Sequence, residues 1–389
     1  MRALFLTHAF PRHAGDAAGS FLLRLAQALA GEQVEVRVVA PAAAGLAPHE
    51  TLDGIPVDRF RYAPRRLETL AYTGTMAQRV AASWPARGAL VWLLGAELAA
   101  AARAVRRFRP DLVHAHWWFP SGLAGAALTT IARPPLVTTL HGTDVRLARG
   151  SRAARPLFRR VMHRSSAVTS VSRWLAAEVE AMAPGTHVHV APMPVDATLF
   201  SPATDPRGDA LLYVGRLNAQ KGIGDLIEAM ALLRAPRPLD VVGEGPDGDA
   251  LRARAAALGI DDRITWHGAL ANDVLPAWYR RAAALVVPSV GEGLGLVAVE
   301  AQMCATPVVA ADSGGLPDVV RQGETGILVP PRDPAALAAA LDALAASPDH
   351  GRALGEEGRR RAVAAFAPEA AARRYATIYR DVLAQRVAA

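Results

Sequence analysis

Short apolar runs alternate with segments of helical spacing along the chain. In the first half the runs cover residues 2–7, 34–40, 55–60, 112–116, 136–140, 167–171 and 188–191. Segments such as 20–30 and 122–131, which lie between these runs, place apolar residues at helical intervals. Continuous apolar strands separated by helices are typical of a parallel sheet covered on both faces. We therefore predict a Rossmann-like α/β domain.

The alternation stops in the stretch 192–207 and then begins again. That stretch holds four prolines and no helical period, so we place the domain linker there. Apolar runs follow at residues 211–214, 239–242, 264–267, 284–287, 307–311 and 326–329, and the pattern is helical from Asp333 onward. We predict two Rossmann-like α/β domains, residues 1–195 and 208–370, whose parallel sheets face a central cleft. A helix at about 371–389 is expected to pack back on the first domain.

Length and composition narrow the class of protein. A chain of 389 residues, of which 51% are hydrophobic and 20% charged, suits two folded domains. Cys304 is the only cysteine, which excludes an intramolecular disulfide and a cysteine-based zinc site. The best candidate for a membrane span, residues 88–96, is short and lies between Arg87 and Glu97. No signal-peptide pattern opens the chain, so a cytoplasmic protein is expected.

Positive charge is concentrated in the first half. Residues 1–195 hold 23 Arg against 12 Asp plus Glu, whereas residues 196–389 hold 20 Lys plus Arg against 24 Asp plus Glu. This split indicates an anionic partner at the first half. An apolar region at 67–98 carries Trp84 and Trp92. It is flanked by Arg61, Arg65, Arg66, Arg103, Arg106, Arg107 and Arg109.

Two interpretations of that apolar region stay open. Basic flanks suit a helix in the headgroup layer of an acidic membrane, here the inner face of the cytoplasmic membrane. They equally suit core helices that carry solvated arginines. A nucleic-acid partner is not expected, because basic and aromatic residues do not interleave.

The first candidate for chemistry is the stretch LLYVGRLNAQKG, residues 211–222. Lys221 is the only lysine in the chain and follows Arg216 by five residues. Both lie where a strand turns at Gly215 and a helix opens after Gly222, which is where a phosphate is best held. The ammonium would hold it as a point charge and the guanidinium as a planar fork. A solvated cation pair on a strand-to-helix loop is the alternative.

A second candidate is GEGLGLVAVE, residues 291–300. Three alternate glycines allow close approach of a ligand to the backbone, and the helix can start only after them. Glu292 then lies in the loop and Glu300 more than a turn into the helix. Their carboxylates are natural partners for the paired hydroxyls of a sugar or ribose. Two surface glutamates near a glycine turn are the alternative.

The stretch GEGPDG, residues 243–248, has the spacing of a dinucleotide-binding loop. The acidic residues that would bind a ribose, Asp261 and Asp262, precede the next strand instead of ending it. We therefore interpret these glycines as tight-turn residues.

Further candidates lie in the first half. His141, in TTLHGTD, ends a predicted strand at the edge where open α/β sheets bind ligands, and it is followed by Asp144. This histidine could hydrogen-bond a reacting hydroxyl, and a loop histidine with a structural partner is the alternative. His114 and His116 share one face of a strand, but no third metal ligand accompanies them, so a structural role is favoured. Gly15 and Gly19 precede a helix and suit a loop over phosphate, a weak signal alone.

Taken in order, GRLNAQKG, VGEGP, Glu292 to Glu300, TPVVAADSGGLPDVV and ETGILVPPRDP resemble the GT-B glycosyltransferases of family 4 (GT4). The resemblance covers nearly all of the chain and is specific over residues 211–334. It implies a nucleotide diphosphosugar donor, no bound metal or other cofactor, and transfer of a hexosyl group with retention. The acceptor would be a sugar, a lipid-linked molecule or another anionic molecule.

The resemblance also implies residue roles. Arg216 and Lys221 would hold the donor diphosphate, Glu300 the ribose, and Glu292 the transferred sugar, with His141 beside the reaction centre and Asp144 on the acceptor side. The implied donor contacts are Gly15, Gly19, Gly243, Leu270, Gly293, Leu294, Gly295, Leu296 and Glu300. The chain departs from the family where Gly15 and Gly19 are separated and where residues 192–196 read PMPVD.

Other functions fit parts of the pattern. A glycoside hydrolase or phosphorylase would use Glu292 and Glu300 as acid and nucleophile. A non-catalytic sugar-binding protein could use the same scaffold.

Overall fold

The structure is a computed structural model that describes residues 1–72, 76–132, 134–204 and 206–388. The chain folds into two compact units. Unit 1 comprises Met1–Pro194 and Pro368–Ala389, and unit 2 comprises Val195–Ala367. Residues 73–75 of the apolar region, residue 205 of the predicted linker and residue 389 of the last helix lie outside the described part.

Unit 1 is built on an eight-stranded sheet with the order β3-β4-β2-β1-β5-β6-β7-β8. Its strands are β1 Arg2–Leu6, β2 Glu35–Pro41, β3 His49–Leu52, β4 Ile55–Phe60, β5 Leu112–His116, β6 Leu136–Leu140, β7 Ala167–Ser170 and β8 Val188–Val190. All neighbouring strands except β3 and β4 run parallel. The central strands β5, β6 and β7 are buried throughout, as the continuous apolar runs predict.

The sequence interpretation missed β3, which forms an antiparallel hairpin with β4. Asp53 and Gly54 connect the two strands and both have positive φ, 46° and 87°. Leu52 pairs with Ile55 across this two-residue turn. An Asp-Gly pair is the preferred sequence of such turns, so the signal was present, although the strand HETL has little apolar character.

Helices cover both faces of the unit 1 sheet. They are α1 Ser20–Leu29, α2 Met76–Ala82, α3 Trp84–Phe108, α4 Leu123–Ala132, α5 Thr143–Gly150, α6 Ala154–Arg164 and α7 Arg173–Met182. In the returning C-terminal segment, the last helix packs against α1. The Tyr379 hydroxyl of that helix forms a hydrogen bond with His114 Nδ1 at 2.7 Å. This bond connects the C-terminal helix to the core of unit 1.

Among the described residues, one helix is long and apolar enough to span a membrane by length and composition. It is α3, which runs through Glu97 and so extends beyond the short segment considered from the sequence. Its inner face contacts β2 and β4 and buries Leu93 and Ala101. Only a third of its most apolar part is buried, so α3 packs on the sheet through one side alone.

Unit 2 has a six-stranded parallel sheet with the order β11-β10-β9-β12-β13-β14. The strands are β9 Leu211–Val214, β10 Leu239–Val242, β11 Ile264–Gly268, β12 Ala284–Val287, β13 Val308–Ala311 and β14 Ile327–Val329. The helices of the remaining chain are α8 Ile223–Leu232, α9 Gly248–Ala257, α10 Leu275–Arg281, α11 Leu296–Met303, α12 Leu316–Val319, α13 Pro334–Ala346, α14 Pro348–Phe366 and α15 Pro368–Ala388. Apart from the β3–β4 hairpin both sheets are parallel, as predicted, and they bring the strand-to-helix loops to their carboxyl edges.

Candidate functional site

The loop from β9 to α8 carries the two predicted phosphate-binding cations. Gly215 ends the strand, Arg216 is exposed, and Lys221 closes a short 3-10 turn capped by the Asn218 side chain. The Arg216 guanidinium forms no hydrogen bond or ion pair with any described residue. Helix α8 begins directly after Gly222, so Lys221 immediately precedes its N-cap, and Arg216 lies earlier in the same loop.

Lys221 and Glu292 form an ion pair across two neighbouring strand-to-helix loops. Lys221 Nζ lies 2.7 Å from Glu292 Oε2, and the side chains retain 26% and 17% of their exposure. From the sequence, Lys221 was predicted to bind the diphosphate and Glu292 the transferred sugar. Their direct contact was not predicted. An ammonium has three donors, so two remain for a ligand while Glu292 accepts the third.

These two loops are also held together through their backbones. Val290 N donates to Gln220 O at 2.9 Å. Gly222 has φ 68°, and a Cβ there would lie 2.1 Å from Pro288 O. Only glycine meets both demands, since its backbone adopts positive φ freely and has no Cβ to clash. The pair of Lys221 and Glu292 is thus built on a rigid junction between β9 and β12.

Two glycines of GEGPDG pack against the other side of the loop that carries Arg216. Gly243 has φ 138°, and a Cβ there would lie 1.9 Å from Gly215 O. A Cβ on Gly245 would lie 2.1 Å from Leu217 O, and Leu217 N donates to Glu244 O at 3.0 Å. The two glycines therefore let the β10–α9 loop pack on the loop of Arg216, in agreement with the tight-turn interpretation.

Glu300 lies in the second turn of α11 and accepts a hydrogen bond from Tyr279. Tyr279 Oη lies 2.8 Å from Glu300 Oε2. Burial, and then the Glu300 charge, raise the pKa of Tyr279 well above its usual value. The hydroxyl therefore stays protonated and fixes one carboxylate oxygen of Glu300, a positioning partner that the sequence interpretation missed.

The other predicted donor contacts of unit 2 lie in loops at the carboxyl edge of its sheet. Gly293, Leu294 and Gly295 are buried in the loop before α11, and Leu296 begins the helix. Leu270 is half-buried in the loop after β11. The Glu292 loop also accepts a hydrogen bond from Gly315 N to Glu292 O at 2.8 Å, so two neighbouring loops fix its course.

In unit 1, His141 lies among aromatic rings at the end of β6. Its ring lies 4.3 Å from that of Trp117 and 5.3 Å from that of Phe21, measured between centroids. Nε2 approaches His116 Nδ1 at 3.4 Å. Burial, with a smaller contribution from His8, lowers the pKa of His141 to about 3. The imidazole is therefore neutral near pH 7 and can both donate and accept a hydrogen bond.

Asp144 shapes the loop that presents His141. Its Oδ1 accepts from His141 N at 3.1 Å and from Gly142 N at 3.0 Å, and its Oδ2 accepts from Trp118 N at 3.1 Å. The residue is 4% exposed. Because backbone donors engage both oxygens, Asp144 is placed to order this loop. Its place on the acceptor side stays a prediction.

His114 and His116 lie inside a buried hydrogen-bonded cluster. His114 bonds through Nδ1 to Tyr379 and through Nε2 to Thr139 Oγ1, at 2.7 and 2.6 Å. Within the described residues, no group of three His, Cys, Asp or Glu side chains could hold a metal ion.

The loop between β1 and α1 contains Gly15 and Gly19. Gly19 has a steric role, since its φ is 74° and a Cβ there would lie 2.4 Å from Ala9 O. Gly15, with φ 82°, lies in open space in the same loop.

A cavity that the sequence interpretation did not assemble lies at the carboxyl edge of the unit 1 sheet. It has a volume of about 270 Å³, and its lining includes Arg12, Arg61, Arg65, Glu68 and Tyr72. Arg12 pairs with Asp16 at 2.6 Å and Arg61 with Glu68 at 2.8 Å. Arg65 is exposed and makes no ion pair within the described chain. The signal in the sequence was the arginine cluster, but its convergence with Arg12 needed the fold.

The chain is similar to known proteins over both units. The profile of the family described as glycosyltransferase family 4 matches residues 18–199, and that of glycosyl transferases group 1 matches residues 196–361. D-inositol 3-phosphate glycosyltransferase from Streptomyces bingchenggensis is 34% identical over 89% of this chain and 82% of its own. The chain belongs to glycosyltransferase family 4.

Two further relatives of this family 4 glycosyltransferase extend the comparison. The Arthrobacter D-inositol 3-phosphate glycosyltransferase is 36% identical, and the match spans 63% of this chain and 65% of that relative. Sucrose-phosphate synthase from Thermosynechococcus elongatus matches with a TM-score of 0.82 and 26% identity over 99% of each chain. The predicted GT-B class is confirmed by these relationships, and the protein is a glycosyltransferase.

Proposed function

We propose that this glycosyltransferase transfers a hexosyl group from a nucleotide diphosphosugar to a hydroxyl of an anionic acceptor, with retention of the anomeric configuration and without a bound metal. Unit 2 would bind the donor and unit 1 the acceptor. The observation that carries the proposal is the pairing of Lys221 with Glu292 at the N-terminus of α8, beside the exposed Arg216.

The donor diphosphate is matched by the charges of the β9–α8 loop. Arg216 offers a planar fork and Lys221 two further donors, beside a helix N-terminus whose backbone N–H groups favour anions. As the bond to the sugar breaks, negative charge grows on the departing diphosphate. Two fixed cations at that position stabilise the charge in the way that a metal ion would, which is the basis for proposing metal independence.

The two glutamates have different surroundings that suit different parts of the donor. Glu300 is fixed by Tyr279 within α11 and has one oxygen directed by that hydrogen bond, which suits a ribose diol. Glu292 lies beside the cation that would hold the phosphate next to the sugar. We assign Glu300 to the nucleoside and Glu292 to the transferred hexose.

We propose that the acceptor binds to unit 1. Its anionic group would lie in the cavity lined by Arg12, Arg61 and Arg65. Arg12 and Arg61 are neutralised by carboxylates, so Arg65 supplies the uncompensated charge. The names of the relatives agree, because D-inositol 3-phosphate carries a phosphate as well as hydroxyls. Neutral His141 lies at the same carboxyl edge of the sheet, where it could hydrogen-bond a sugar hydroxyl.

Donor binding and transfer are tested separately. Thermal shift with UDP-, GDP- and ADP-glucose should raise the unfolding temperature for one base, because a ligand stabilises the state it binds. That donor is then incubated with inositol phosphates and hexose phosphates, with and without EDTA, and the product is examined by NMR. Transfer that survives EDTA with the donor's anomeric configuration supports the proposal. Inversion or dependence on metal would contradict it, and cleavage of aryl glycosides without nucleotide would indicate a hydrolase.

A further inference from the structure

The outward face of α3 is apolar over its first half. Trp84, Val91 and Trp92 are 79%, 68% and 52% exposed, and they recur at helical spacing on one side. Arg87 lies over the Trp84 ring at 4.3 Å and donates to the carbonyl oxygens of Val80 and Ala81. This contact joins the end of α2 to the start of α3 and holds Trp84 in its exposed position.

The second half of the same outward face is basic. Arg103, Arg106 and Arg107 are exposed, and within the described chain none of the three forms an ion pair with a carboxylate. The only acidic residue of α3 is Glu97, which is buried on the inner face. The exposed side of the helix therefore has apolar and cationic residues and no acidic ones.

Helix α6 extends this surface. Helix α4 packs between α3 and α6, so the three helices form one layer on the sheet. On α6, Leu157 is 44% exposed between the exposed Arg155 and Arg160, and Arg164 ends the helix. From residue 145 to residue 177 the sequence has eight arginines and no Asp or Glu. Helix α4 itself carries no charged residue.

We propose that this α3–α6 face, defined by Trp84, Val91, Trp92, Leu157, Arg103 and Arg160, docks on the surface of a lipid bilayer that contains anionic lipids. The docking is independent of the sugar transfer, since none of these residues belongs to the donor or acceptor site. Tryptophan and aliphatic side chains enter the boundary between headgroups and acyl chains, and the surrounding arginines attract the acidic headgroups.

The mixture of residues distinguishes a bilayer from a soluble acidic macromolecule. A polyanion would be held by the arginines alone and would gain nothing from two exposed tryptophans and a valine. A second protein would more often place acidic residues among the basic ones to fix its orientation. A bilayer supplies both an apolar layer and a uniformly anionic surface, which is the pattern that this face complements.

The test is co-sedimentation of the full-length protein with vesicles of phosphatidylcholine and with vesicles of phosphatidylcholine and phosphatidylglycerol in equal parts. We expect binding to the anionic vesicles at low salt and weaker binding at high salt, because charges near the surface are screened. The double variant Arg103→Glu with Arg160→Glu should bind more than about 25-fold more weakly, because each arginine lost costs about fivefold and each added glutamate is repelled by the acidic headgroups. The double variant Trp84→Ala with Trp92→Ala should bind at least tenfold more weakly, on the order expected for two partly inserted rings.

Matched variants on unit 2 control for changes in charge and hydrophobicity. Arg234→Glu with Arg352→Glu and Leu232→Ala with Val274→Ala alter exposed residues and should bind the vesicles like the unchanged protein. Circular dichroism shows whether each variant is folded. Absence of binding to anionic vesicles at low salt would overturn the proposal. Unchanged binding of the tryptophan variant would also overturn it, and would indicate a soluble acidic partner held by charge alone.

Discussion

Gly222 lies against Pro288 so closely that a Cβ on residue 222 would meet the Pro288 carbonyl oxygen at 2.1 Å. This contact joins the loop of Lys221 to the loop of Glu292. The backbone at Gly222 also has φ 68°, which side chains other than glycine rarely adopt.

We expect Gly222→Ala to separate these two loops and to lower kcat/KM at least tenfold, because displacement of a catalytic group by about 1 Å is costly. Gly224→Ala is the matched control. Gly224 lies two residues further on, in α8, with no atom within 4 Å of a Cβ, so alanine there should leave activity unchanged and stabilise the helix by up to about 1 kcal/mol. Equal activity of the two variants would show that the junction does not position the site.

Substitution of Glu300 should weaken nucleotide binding, whereas substitution of Glu292 should lower the rate of transfer. Glu300→Ala and, more weakly, Tyr279→Phe should raise the dissociation constant of the bare nucleotide, since Tyr279 directs the carboxylate that we assign to the ribose. Glu292→Ala and His141→Ala should leave nucleotide affinity nearly unchanged and lower kcat. Isothermal calorimetry with the nucleotide alone, together with steady-state kinetics, measures both effects. Equal losses of nucleotide affinity in all of these variants would refute the division.

Arg65 should act on the acceptor alone. Arg65→Ala removes the uncompensated charge of the unit 1 cavity, so KM for a phosphorylated acceptor should rise roughly tenfold or more while donor affinity is kept, in line with loss of a charged hydrogen bond. Arg66→Ala is the control, because Arg66 is exposed next to it and does not line the cavity. The same rise in KM for both variants would point to general electrostatic attraction instead of a defined anion site.

Acid should destabilise unit 1 in the range where histidines titrate. Burial lowers the pKa of His8 to about 4 and that of His141 to about 3, and lowers those of His114 and His116 well below the ordinary value. The unfolded chain therefore binds more protons than the folded one below pH 6.5, and stability falls as the pH falls.

Between pH 6.5 and 5.5 we expect a loss of about 1 kcal/mol for each of these four histidines. Hydrogen exchange measures it, with the amides of β5 and β6 compared with those of β9 and β10 in unit 2. Opening free energies that change equally in the two units would contradict the prediction.

The strands could be predicted from the sequence because a parallel sheet buried on both faces leaves continuous apolar runs, and each predicted run has a matching strand. The edge strand β3 could not be found in this way, since one of its faces is exposed and only Leu52 of its four residues is apolar. The turn of Asp53 and Gly54 was the better signal.

The candidate site was predictable in its residue types and only partly in its contacts. Lys221 and Glu292 stood out because each lies in a glycine-bounded loop after a strand. Their ion pair depends on β9 and β12 being neighbours, which the separation of 71 positions between the two residues conceals. Tyr279 was missed for a similar reason, because it lies within a helix whose buried face looks like ordinary core in the sequence.

The central claim is that Lys221, together with Arg216, stabilises the departing diphosphate. Its most direct measurement is kcat/KM for Lys221→Ala and Lys221→Arg with the donor identified by thermal shift, using Arg234→Ala as an exposed-cation control in the same unit. We expect a fall of roughly 10²-fold or more for Lys221→Ala, the size seen when a key charge-stabilising group is removed. We expect poor activity for Lys221→Arg as well, since a planar fork does not replace a point charge at this distance from Glu292. Near-unchanged kcat/KM in Lys221→Ala, with the protein folded and the donor bound, would contradict the role of Lys221 in stabilising the diphosphate.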